Sequence, residues 1–211
     1  MTAAGIAAVL SAALSLPRML LWEDRRFTLW YPEVTILLCG FVLWAFVFAW
    51  HTTYTHRPVF TLKIKPSVFA AATVAAIVIG LVLHFWHDPL VRAALPKDFP
   101  TDTKHWAAAT LFTLAFAQLF LLFAPFDWAI RLFKNEKVAL WMTIALGVFV
   151  QWLRNDSLPT GLPASLLITQ MAFKAIGIFF GVWFYLRGGI LLVWWLDFLI
   201  EARHLLTYNG L

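Results

Sequence analysis

The chain has 211 residues, 62% of them hydrophobic and 13% charged, with a formal net charge of +5. Soluble domains are about 45–50% apolar and about 25% charged, so these figures exclude a water-soluble globular domain and point to an all-helical, polytopic membrane bundle. The lone cysteine, Cys39, excludes an intramolecular disulfide and a cysteine-based metal site. The basic residues are scattered through short loops, which suits contact with the lipid bilayer rather than with nucleic acid.

Seven apolar segments are predicted in one membrane domain, residues 1–211, giving about six to seven transmembrane helices. The first, 3–22, is interrupted by Pro17 and Arg18 and is expected to be interfacial or re-entrant. Met1–Ser15 lacks a positive n-region, so it reads as a retained helix rather than a signal peptide. The second segment, 34–51, holds Cys39, expected to be a small buried hydrophobe. Trp30-Tyr31-Pro32 and Trp50 to Tyr54 mark interfacial edges. His51, His56 and His105 fall at predicted helix boundaries and are given no special role.

The third segment, 67–87, ends in His84-Phe85-Trp86-His87, histidines at i, i+3 beside an aromatic belt. They read as interfacial, with ligation of a pigment or haem as the alternative. The longest loop, Asp88–Lys104, mixes three acids and three bases with Pro96 and Pro100. Segments 106–126 and 138–153 follow, then 164–186 and 189–206. The loops 52–66, with Arg57, Lys63 and Lys65, and 127–137, with Arg131, Lys134 and Lys137, share one side with Arg187. That side is expected to be cytoplasmic. Within 164–186, Lys174, one turn after Gln170, is expected to face a cavity or a partner subunit, with snorkelling as the alternative, and Gly177-x-x-x-Gly181 permits close helix approach.

Four ionisable side chains sit at membrane depth: Asp127 with Arg131, and Asp197 with Glu201, each pair spaced i, i+4. Charges there are costly and turn toward the protein interior. The expectation is one cavity where Arg131 forks to Asp127 or across to Asp197. Glu201-x-x-His204 with Asp197 has part of a di-metal pattern, but the second Glu-x-x-His that such sites need is missing from the sequence, so no metal and no cofactor are expected.

Three motifs in register carry a family resemblance. They are Pro125-Phe126-Asp127-x-x-x-Arg131, then Phe149-x-x-x-Leu153, then Tyr185-x-Arg187-x-Gly189 followed by Asp197-x-x-x-Glu201. Over 106–207 the chain resembles the CAAX-protease and bacteriocin-processing (CPBP) family of intramembrane glutamic endopeptidases. The resemblance implies a four-helix core there, N-terminal helices over 1–105, and an integral protein of the bacterial inner membrane.

In that family the first motif carries a Glu-Glu pair whose first member activates water, and the second motif carries a histidine at the oxyanion. Here those positions are Phe126 and Leu153, neither of which can accept a proton or donate a hydrogen bond. The degenerate positions Phe126, Asp127, Arg131, Leu153, Asp197 and Glu201 thus imply the fold without the activity. The expected function is a catalytically inactive scaffold or interaction subunit that meets other membrane proteins. The alternative is an active endopeptidase with rearranged carboxylates.

Overall fold

The computed structural model describes residues 1–21, 30–96, 99–156 and 162–208, and every long regular element among them is helical. In chain order these are α1 (Thr2–Leu20), α2 (Trp30–Thr55), α3 (Pro66–Ala94), α4 (Thr103–Phe133), α5 (Glu136–Asp156), α6 (Ala164–Glu201) and the short α7 (Arg203–Tyr208). The first six are long and apolar enough to cross a membrane, so the chain is an integral membrane helix bundle.

α1 is one continuous helix through Pro17 rather than an interrupted segment, and its buried face is a row of small residues: Ala4, Ala8, Ser11, Ala12 and Ser15. Small side chains let the backbones approach, and Gly40 of α2 meets Ala8, where an added Cβ would lie 3.8 Å from the Ala8 Cα. Ser11 then links three helices. Its hydroxyl donates to the Ala115 carbonyl of α4 at 2.9 Å and accepts the Trp44 indole N–H of α2 at 2.9 Å. Cys39, expected inside, lies on the exposed face of α2, because the buried face runs Ile36, Gly40, Trp44, Val47, His51 and Thr55.

α3 and α4 are not regular throughout. π-helical turns occupy Leu83–His87 in α3, and Thr113–Ala117 and Leu119–Phe123 in α4. Two of them have a local cause. Pro89 and Pro125 lie just downstream, and a proline ring clashes with the carbonyl four residues back in a regular α-helix. The wider turns at Leu83–His87 and Leu119–Phe123 move that carbonyl aside. The first also carries α3 on to Ala94, so the polar loop predicted from Asp88 begins about two turns later. Asp102 starts α4 as its cap, accepting the His105 amide at 2.9 Å, and that hydrogen bond first of all holds its carboxyl below the usual range.

α6 has 38 residues, about 57 Å if straight, against about 30 Å of hydrocarbon. It is a hairpin. Gly189 has φ +67°, and the two arms, 164–188 and 190–201, fold back so that Lys174 of the first faces the charges of Asp197 and Glu201 on the other. The turn is pinned from outside, with the Ile190 amide donating to the Val59 carbonyl at 3.0 Å. Predicted segments 164–186 and 189–206 are therefore separate arms. At the same end of the bundle, Arg57 donates to Glu136 at 2.8 Å. The 56–65 connection, the 134–135 turn and the Gly189 bend thus share one end, as the basic loops imply.

Candidate functional site

Polar groups gather in two separate places. The first, in the half of the bundle nearer the Gly189 bend, is dry. Asp127 of α4 is fully buried; its Oδ1 lies 2.8 Å from Nδ1 of His51 on α2, and its Oδ2 accepts the Tyr185 hydroxyl of α6 at 2.8 Å. Around them pack Phe123 and Phe126, with ring centroids 4.9 and 6.1 Å from that of Tyr185. The His51 ring lies against Tyr185 at 4.2 Å, and its Nε2 is buried with no hydrogen-bond partner among the described residues. A carboxylate with two hydrogen bonds in an aromatic shell braces α2, α4 and α6 and leaves no room for a substrate.

This cluster corrects the expected pairing. Arg131 does not reach Asp127 or Asp197; its guanidinium lies 4.3 Å over the Trp50 ring, on the exposed side of α4. Asp127 already has His51 and Tyr185, so the arginine turns to the wet helix end and a cation–π contact. Leu153 is also outward, 44% exposed. Of Phe126 and Leu153, only Phe126 is inside. His51, treated as a boundary residue, is the partner that sequence reasoning missed. The signal was available in the spacing Gly40, Trp44, Val47, His51, Thr55, a single helical face that is buried throughout.

The second place is a cavity of about 490 Å³ in the opposite half, among α3, α4, α5 and the two arms of α6. Its polar lining includes Lys174, Asp197, Glu201, Gln151, Gln170 and Arg154. Asp197 and Glu201 share this wall, as their i, i+4 spacing requires. Gln151 of α5 donates to Gln170 of α6 at 2.6 Å, which leaves one amide group of each available to the cavity. Gln151, not Leu153, is thus the residue of the second motif that faces inward.

The charges in the cavity face one another without closing. The charged groups acting on the Lys174 ammonium are Asp197, Arg154 and Glu201, yet no carboxylate lies within 4.0 Å of it among the described residues. Asp197 Oδ2 is buried and accepts no hydrogen bond, and the carboxylate oxygens of Glu201 lie 3.8 Å from Arg203 and 3.6 Å from His204. Arg203 is committed elsewhere: it donates to Asp88 at 2.9 Å and to the Ile200 carbonyl at 2.9 Å, latching α3 to the later arm. Gly177 opens on the cavity with nothing near its Cβ position, whereas Gly181 packs tightly on Leu122, so only one of the two glycines serves close approach. The π-helical turns of α3 and α4 also border this space, through His87 and Thr113. Such turns reposition side chains and are frequent at functional sites.

His84 packs on Phe85, and His87 packs on Phe173 at 4.9 Å, with Asp88 3.9 Å from its Nδ1. Among the described residues no group of three or more His, Cys, Asp or Glu side chains converges as a metal site. Comparison with known proteins gives no matching family model, no matching curated protein and no matching solved structure.

Proposed function

We propose that the chain is a catalytically silent integral membrane protein, on a frame similar to that of the CPBP endopeptidases, whose work is binding within the membrane. The observation that carries this reading is that the hydrogen-bonded carboxylate–imidazole pair at membrane depth stands apart from the open cavity. The fully buried carboxylate–imidazole pair, Asp127 with His51, is sealed behind Phe123, Phe126 and Tyr185. The cavity, by contrast, offers Lys174, Asp197, Glu201 and the glutamines Gln118, Gln151 and Gln170, a lining suited to holding a polar ligand. General-base catalysis needs base, water and scissile bond within hydrogen-bond reach of one another. Exposed aromatics such as Trp86 and Trp141 on the outer faces suit lipid and neighbouring membrane subunits alike.

The test is to reconstitute the protein in liposomes with prenylated and unmodified peptides and to follow cleavage by mass spectrometry. No turnover is expected. Cleavage abolished by Asp127→Asn would overturn the reading. It would favour the alternative, an endopeptidase with rearranged carboxylates, to which one observation speaks: His51 is oriented by Asp127 through Nδ1 and keeps Nε2 unpaired.

A further inference from the structure

The inward-facing charges of the cavity have a pattern of their own. Lys174, on the first arm of α6, shares one space with Asp197 and Glu201 of the other arm, and these opposite charges stay more than 4.0 Å apart. Partly buried charges held short of a closing partner are open to a ligand group of opposite charge. The direct closure, an ion pair between Lys174 and Asp197, is within the reach of a four-carbon stem across a helical hairpin, and it is not the arrangement adopted. Asp88 and Arg203 at the cavity edge, meanwhile, neutralise one another at 2.9 Å. What is left open is one positive and one negative wall.

A lone anion would satisfy Lys174 and repel two carboxylates. A lone cation would do the reverse. A molecule with an ammonium and a carboxylate on the same carbon satisfies both walls at once, each through charge-assisted hydrogen bonds. The lining also includes the apolar Ile79, Leu83, Leu121 and Phe173, which suit a short hydrocarbon side chain. The Gln151–Gln170 pair adds amide groups that accept and donate near the charged end.

We propose that the cavity binds a small zwitterion, an ammonium and a carboxylate on one carbon that also carries a short apolar side chain, with Lys174 taking the carboxylate and Asp197 with Glu201 taking the ammonium. This rests on the binding reading above and names its ligand class.

The test uses the full chain in detergent micelles and three probes with one shared alkyl body: leucine, isoamylamine and isovalerate. Equilibrium dialysis is expected to show saturable leucine binding, with each singly charged probe at least about tenfold weaker. Lys174→Gln should weaken leucine about tenfold to a hundredfold and tighten isoamylamine, which no longer meets the lysine charge, whereas Lys174→Arg, which keeps the charge, retains leucine binding. Isoamylamine or isovalerate binding as tightly as leucine would overturn the zwitterion assignment in favour of a plain cation or anion site and leave the binding reading standing. Failure of all three probes, with a small charged thiol reagent still reaching Gln170→Cys, would likewise overturn the zwitterion assignment alone. If that reagent also fails to enter, the binding reading falls with it.

Discussion

Asp127 shows how one side chain decides between structure and chemistry. It is a carboxylate at membrane depth, and the expectation that it turns inward follows from the cost of leaving it in lipid. Its partners were harder to foresee. The sequence places Arg131 one turn away, and spacing alone favours that neighbour. Yet a helix end offers arginine both water and the Trp50 face, while His51 and Tyr185 arrive from other helices that no local pattern connects to Asp127. Removing Asp127 leaves a buried imidazole and a buried phenol without their shared acceptor. Asp127→Ala is expected to cost about 2–5 kcal/mol, and Tyr185→Phe, which leaves the His51 contact in place, about 1–3 kcal/mol. Thermal unfolding in detergent, followed by the intrinsic tryptophan signal, measures both. Equal losses for the two variants would mean that the His51 contact contributes nothing.

At the scale of elements, the helices were legible because long apolar runs leave few alternatives, and the break between 186 and 189 was legible from Arg187-Gly188-Gly189. The π-helical turns were not, since their cause lies in the geometry of Pro89 and Pro125 against carbonyls already committed to a helix. The cavity depends on the α6 hairpin, because only a reversal at Gly189 brings Lys174 opposite Asp197. Gly189 has φ +67°, and a Cβ there would lie 2.6 Å from the Val59 carbonyl oxygen that the next amide uses. Gly189→Ala should therefore cost more than the about 1–2 kcal/mol of left-handed backbone alone. It should also open the hairpin end, read as a lowered unfolding temperature and faster amide exchange at Ile190. Gly177→Ala, with nothing within 4 Å of the new methyl group, is the matched control and should leave stability nearly unchanged. A similar loss in both variants would show that the bend does not govern the hairpin.

At the scale of the molecule, the bundle keeps two polar centres apart: a dry brace that ties α2, α4 and α6, and an open cavity between the arms of α6 and the helices α3, α4 and α5. The sequence showed four membrane-depth charges and suggested one site for them. Two sites emerged because the helices carrying Asp127 and Asp197 meet different neighbours, and tertiary neighbours are not encoded in helical spacing. Asp197, Glu201 and Lys174 line the cavity, as expected of charges placed in the middle of long apolar runs, where facing lipid is costly. His51 and Gln151 were missed because single polar residues near predicted helix ends resemble ordinary boundary residues.

The central claim is that water and solutes reach the cavity and not the brace. Small charged methanethiosulfonate labelling of single cysteines, in a Cys39→Ala background that removes the lone native thiol from the outer face of α2, measures this directly. Gln170→Cys, on the cavity wall, is predicted to label, and Val47→Cys, fully buried one turn from His51, is predicted to stay unmodified in the folded protein. Labelling at Val47→Cys with protection at Gln170→Cys would contradict the account, placing solvent at the Asp127 cluster and closing the space assigned to the ligand.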